Sequence, residues 1–182
     1  MKKVVVLLAD GFEEVEAVTS IDFLARAGCE VIKAGVTGST VTGAHGLEVN
    51  TDVHVRECGS TFDAVVVPGG MPGASNIAAS QEAVDLIRSV DGSGGIVAAI
   101  CAAPAVVLAP NGLLDGKRAT CYPGFEEAFK NTEFSEERVI IDGKMITSRG
   151  PGTAAEFAIA VVRQLVGEQA AADLSSATLQ KP

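Results

Sequence analysis

Basic residues are scarce in this chain: 14 Lys and Arg stand against 23 Asp and Glu, for a net charge of −9. They form no cluster that could follow a phosphate backbone, so nucleic acid is not expected as a partner, and the acidity mainly favours solubility. Long apolar runs are also missing. No stretch approaches the ~20 residues needed to span a bilayer, and no membrane association is expected. Met1–Leu8 opens like a signal peptide, but its apolar run is about half the usual length and ends at Asp10, so it reads better as a first strand. The four cysteines, Cys29, Cys58, Cys101 and Cys121, contain no C-x-x-C pair. Reduced thiols in a cytoplasm are the simplest reading. His45 and His54 are the only histidines. Neither stands at ligand spacing from a cysteine or from the other, so no metal site is expected. No G-K-[ST] ending and no G-x-G-x-x-G after the first strand are present, and no nucleotide cofactor is expected.

What is present is a chain of 182 residues, 47% of them hydrophobic, enough for one domain with a sizeable core. No linker, repeat or low-complexity tract divides it, and a single domain over 1–182 is expected. Lys3–Ala9, Glu30–Gly35, Asp63–Val67 and Gly94–Ile100 are rich in Val and Ile without polar alternation, as in strands buried on both faces. Helical patterns lie between them at about Glu13–Ala27 and Ala74–Val90. The order predicts an α/β sandwich with a mostly parallel sheet. Thr40–Arg56 reads as a small hairpin or edge strands. Farther on, Arg118–Cys121 is a possible strand, and Arg138–Ile141 and Lys144–Ser148 read as a hairpin across Asp142-Gly143. A helix from about Pro151 to Val166 is stopped by Gly167, and Ala170–Leu179 forms a last one.

Ligands in open parallel sheets collect beyond the carboxyl ends of the strands. Three loops stand out there: Ala9–Glu16, Pro68–Gly73 and the turn at Cys101. The apolar strand Gly95–Ile100 runs straight into Cys101 and then into Ala102-Ala103-Pro104, with small residues that leave room for a sharp strand-to-helix bend. At a helix N-terminus the thiolate would be favoured. The competing reading is a structural cysteine, since free cysteine is often a small buried hydrophobe. Gly69-Gly70 would let backbone N–H groups approach a reacting atom and, with the N–H of Ala102, form an oxyanion hole; the alternative is a plain tight turn.

Glu13, Glu14 and Glu16 open the first helix, where the dipole alone favours carboxylates. One of them, shielded by Val15, Ala17 and Val18, would have a raised pKa and exchange a proton near Cys101. A helical wheel puts Glu14 nearer the core face than Glu16, so periodicity does not choose Glu16.

Taken together, Leu7–Glu16, Val67–Gly70, Ala98–Pro104 and Thr147–Thr153 resemble the ThiJ/PfpI superfamily, in the branch of the Parkinson disease protein (DJ-one). The resemblance is collinear over nearly the whole chain. It implies a class I glutamine amidotransferase-like domain with a flavodoxin-like three-layer sandwich and a small β-hairpin, assembled as a homodimer for which Val15 and Val18 offer an apolar face. It implies Cys101 as the reactive residue, Glu16 as the protonated carboxyl beside it, and Gly70 and Ala102 as backbone donors, with Gly69 supporting. Where protease-like members carry a histidine after the cysteine, Ala102 stands here, so peptidase activity is not expected. The branch's histidine before a proline is matched by Tyr122, and an arginine supplied by the partner subunit is roughly matched by His45.

The resemblance implies a cofactor-independent enzyme acting on reactive carbonyls, a glyoxalase or a deglycase. A redox sensor or chaperone-like protein, in which Cys101 is oxidised to sulfinate, needs the same environment. A role in thiamine biosynthesis rests on the family name alone, without phosphate-loop residues behind it.

Overall fold

The computed structural model describes residues 1–59 and 61–180; Ser60, Lys181 and Pro182 lie outside the described residues. Its centre is a seven-stranded sheet. The first strand, β1 (Lys3–Leu8), pairs in parallel with β2 (Glu30–Gly35) on one side and β6 (Ala64–Val67) on the other. β6 pairs with β7 (Ile96–Ile100), and β7 with β11 (Met145–Ser148), all in parallel. Short β5 (Val53–His54) closes one edge against β2. At the other edge β10 (Val139–Asp142) runs antiparallel to β11.

The absence of polar alternation in the central strands has a direct cause, since both faces of the sheet are covered. On β1, Val4, Val6 and Leu8 pack into one core with α1 (Glu14–Arg26), α4 (Ala154–Leu165) and α5 (Glu168–Ala177), through Ala17, Leu24, Phe157 and Leu174. The alternate residues Val5 and Leu7 pack into a second core with α2 (Gly73–Ala79) and α3 (Gln81–Gly92), through Ile77, Ala83, Ile87 and Val90. Strand periodicity therefore divides one apolar run between two helix layers, giving the expected three-layer sandwich.

Several expected boundaries change. The helix predicted over Ala74–Val90 is two helices, because Ser80 adopts an extended backbone and its hydroxyl accepts the Ala83 N–H at 3.2 Å as the cap of α3. The Thr40–Arg56 region supplies a hairpin, β3 (Thr40–Thr42) with β4 (Glu48–Asn50), as well as edge strand β5. The β10–β11 connection is Gly143-Lys144, one residue later than predicted, with Gly143 at φ +62° and Asp142 already paired with Met145. Strand β8 (Arg118–Ala119) is short and pairs with β9 (Glu133–Phe134) in a small separate sheet. The helix expected from Pro151 begins with a 3₁₀ turn, Pro151–Thr153, before α4.

The segment after Cys101 departs furthest. Pro104–Leu108 is π-helical, followed by a 3₁₀ turn over Ala109–Asn111. Pro110 cannot donate an N–H back to Val106, and the Ala109 N–H reaches instead to Pro104 O, five residues back. Among the described residues, no long α-helix starts at Cys101 to align its dipole there.

Phe157 is fully buried between α4 and the sheet. Phe157→Ala is expected to destabilise the protein by about 3–5 kcal/mol through lost burial and a residual cavity, seen as a lower urea midpoint with an unchanged slope.

Candidate active site

Because β1, β6 and β7 are neighbours in the sheet, the loops leaving their carboxyl ends converge. Cys101 follows directly on β7 and has φ +66°, a left-handed conformation that is uncommon for a side-chain-bearing residue. It is fixed by its surroundings. The Cys101 N–H donates to Ser148 O at 2.9 Å, and its carbonyl accepts the Tyr122 N–H at 2.8 Å. The predicted sharp bend is therefore present, and the cysteine is 8% exposed.

The Pro68–Gly73 loop passes beside it. A Cβ on Gly69 would lie 2.5 Å from the Cys101 Cβ and 2.9 Å from Glu16 Oε2, so only glycine fits. At Gly70, with φ +85°, a Cβ would run into the backbone of Gly11, Phe12 and Glu13. These glycines let three loops close on one another.

Glu16, in the first turn of α1, is completely buried. Its Oε2 accepts the Gly69 N–H at 2.8 Å, while Oε1 is buried without a hydrogen-bond partner. Burial, countered in part by that bond and by the Cys101 thiol, raises its pKa from 4.5 to about 7. Glu14, which the helical wheel favoured, faces the β3–β4 hairpin: its carboxylate accepts the His45 N–H at 2.5 Å and pairs with His45 Nδ1 at 2.8 Å.

The expected lowering of the Cys101 pKa does not hold. Burial first, and then the charge of Glu16, push the thiol up to about 12, against the opposing hydrogen bonds of the Gly70 and Ala102 N–H groups. These two donors do converge on the sulfur. The Gly69 N–H, by contrast, is committed to Glu16. The two acids respond to one another, and burial brings Glu16 to the point where it exchanges its proton near neutrality. A neutral Glu16 removes the second-largest cause of the raised thiol pKa.

Tyr122 reaches the site by its backbone. Its ring is exposed, packs edge-on against Phe125 with centroids 6.4 Å apart and abuts Gly150. His45 is exposed and engaged with Glu14, and it is not among the groups that shift Cys101. Among the described residues, ligand atoms of Glu13, Glu14 and His45 lie within 4.8 Å of one another. Histidine–cysteine spacing could not reveal this grouping, which depends on folding of the hairpin over α1. Sequence reasoning also missed Gly69 as the donor to Glu16, for which the paired glycines were the available signal, and the partly buried Arg149, whose Nη1 is enclosed.

The fold and site define a doubly wound α/β domain with a cysteine on a strand-to-helix elbow, flanked by backbone donors and a buried carboxyl of raised pKa. The chain belongs to the DJ-1/PfpI family, whose pattern matches residues 2–164. It is 40% identical over 184 residues to protein DJ-1 homolog B of Arabidopsis thaliana, covering 100% of this chain but 42% of that protein, so it spans less than half of that relative's length. It is 36% identical over 170 residues to a Caenorhabditis elegans protein named glutathione-independent glyoxalase DJR-1.2, covering 91% of this chain and 89% of that one. The solved structure of oxidized Toxoplasma gondii DJ-1 superposes with a TM-score of 0.95 at 37% identity, covering 100% of both chains.

The elevated Glu16 pKa makes stability depend on pH. A carboxyl that protonates near 7 in the folded state and at 4.5 when unfolded contributes stability below 4.5 that is lost as pH rises through 7. Glu16→Gln removes that loss. Relative to wild type, the variant is expected to gain about 3 kcal/mol between pH 4.5 and 8, read from urea midpoints across this range. A difference that stays constant across the range would show that Glu16 does not hold a proton at neutral pH.

Proposed function

We propose that this protein is a cofactor-independent, cysteine-dependent enzyme that detoxifies reactive carbonyls, of the glyoxalase or deglycase type. The observation that carries this reading is the buried carboxyl with a pKa of about 7 packed beside Cys101. A group that titrates near the working pH can both give and take a proton. Membership of the DJ-1/PfpI family and the glyoxalase name of the nematode relative support it further.

In this mechanism Cys101 is the nucleophile. Its sulfur bonds to the aldehyde carbon of an α-oxoaldehyde, the carbonyl π pair moves onto oxygen, and the Gly70 and Ala102 N–H groups receive the developing alkoxide. The alkoxide takes up the proton that the thiol gives up, and a hemithioacetal results. Glu16 then moves a proton from the former aldehyde carbon to the neighbouring ketone carbon through an enediol, oxidising the first carbon and reducing the second. Water cleaves the resulting thioester, releasing a hydroxy acid and restoring the thiol. In the deglycase variant the same thiol bonds to the carbinol carbon of an aminocarbinol adduct, the C–N bond breaks, the amine departs with the thiol's proton, and the same hemithioacetal is left. Tyr122 and His45 are supporting residues at most, since one meets the elbow through its backbone and the other is held by Glu14. Ala102 in place of a histidine argues against peptidase activity. We assign the working form as a cytoplasmic homodimer joined through the exposed Val15 and Val18 of α1.

Cys101→Ala is expected to reduce methylglyoxal consumption to background, and Glu16→Gln to lower kcat by about 10²–10⁴-fold. Wild-type turnover by Cys101→Ala would overturn the reading.

The neutral Glu16 also favours a second reading, because its O–H can donate to an oxidised sulfur. Mild hydrogen peroxide is then expected to give a two-oxygen adduct on Cys101 before Cys29, Cys58 or Cys121 reacts, as read by mass spectrometry. Earlier oxidation of the other cysteines would exclude a sensor role.

A further inference from the structure

The chemistry proposed for Cys101 leaves Arg149 unused. Its Nη1 is buried and has no hydrogen-bond partner among the described residues. A buried guanidinium N–H without an acceptor is unfavourable, and its persistence asks what it binds. The guanidinium carbon lies 5.8 Å from the centroid of the Phe134 ring. An arginine stacked on an aromatic ring is held in place while its N–H groups remain able to donate. Its charge also reaches the Cys121 thiol, which stands immediately before Tyr122. Glu126 lies on the same side, but its carboxylate accepts the Gly124 N–H at 2.7 Å.

The location ties this cation to the elbow. Ser148, the residue before Arg149, accepts the Cys101 N–H through its carbonyl, and Gly150, the residue after it, abuts the Tyr122 ring. Tyr122 in turn donates its N–H to Cys101 O. Arg149 thus stands between the two contacts that frame the cysteine from the β11 side.

We propose that Arg149 is a carboxylate-recognition residue on the Tyr122 side of the Cys101 site, taking the acid group of an oxo-acid substrate or of the hydroxy-acid product. This rests on the reading of Cys101 as a carbonyl-directed nucleophile. Carboxylate is the fitting class because a planar two-oxygen anion matches the guanidinium fork. It is also the group that α-oxoaldehyde turnover creates next to the sulfur.

The test measures binding and turnover separately in wild type, Arg149→Gln and Arg149→Lys. Thermal unfolding is followed with sodium lactate, lactamide or sodium chloride at matched concentration, and kcat/KM is measured for 4,5-dioxopentanoate, an α-oxoaldehyde that carries a separate carboxylate, and for methylglyoxal. Lactate alone is expected to raise the wild-type Tm; Arg149→Lys keeps part of that rise and Arg149→Gln loses it. Arg149→Gln should lose about tenfold more kcat/KM for 4,5-dioxopentanoate than for neutral methylglyoxal, mostly through KM. Lactate stabilisation that is equal in Arg149→Gln and wild type, or no greater than with sodium chloride, overturns the proposal. If Arg149→Gln does not fold, the wild-type lactate–lactamide difference and its reduction in Arg149→Lys decide the matter. Arg149-dependent lactate binding without turnover of either substrate would remove the enzymatic reading and leave the carboxylate site standing.

Discussion

The hydrogen bond from the Gly69 N–H to Glu16 Oε2 is the contact on which the site depends. It joins the first turn of α1 to the loop after β6 in a space where a single added Cβ would strike the cysteine. It holds the carboxyl in place without neutralising it. A carboxylate that accepts two or three N–H bonds can remain ionised when buried; Glu16 receives one, and its other oxygen has none. Burial therefore prevails, and Glu16 gains and loses its proton near neutral pH.

Sheet order makes that contact possible. With β1 between β2 and β6, and β7 beyond β6, the loops after β1, β6 and β7 leave adjacent strand ends. The register continues the alignment, since Val67 pairs with Ala99 and Ile100 pairs with Ser148 at the ends of their strands. Cys101 leaves β7 at the level where β11 ends. Its backbone N–H thus meets Ser148 O, and the left-handed turn is over-determined by neighbours rather than by local preference.

Much of this was legible in the sequence because its cause is local or periodic. The Val-rich strands, the small residues around Cys101 and the glycine pair each report a steric requirement that the residue itself expresses. Glu16 was not legible from periodicity. The wheel measures distance from the core face, whereas Glu14 is drawn off by His45 on a hairpin distant in sequence, and Glu16 is enclosed by a loop more than fifty residues away. The family resemblance supplied Glu16 instead. The thiol pKa failed for a related reason. The dipole argument assumed a regular helix after Cys101, but Pro104 and Pro110 give a π-helical segment, and burial first, then the neighbouring acid, outweigh the backbone donors. The split at Ser80 was present as a capping residue, but the apolar pattern on both sides concealed it.

The proton inventory also discriminates among reactions. Peptide hydrolysis requires an acid able to protonate a leaving amine while a separate base activates the nucleophile, a division of labour that a cysteine–histidine pair provides. Here one carboxyl of pKa about 7 stands beside one thiol, and Ala102 fills the position next to it. A single group that gives and takes a proton suits isomerisation of a small carbonyl adduct, in which the proton leaves one carbon and returns to its neighbour without crossing the site. Raising the thiol pKa slows formation of free thiolate, but it also strengthens the nucleophile once formed. The pairing thus favours addition to an electrophile as reactive as an aldehyde over attack on an amide, whose carbonyl requires the additional acid that this site lacks.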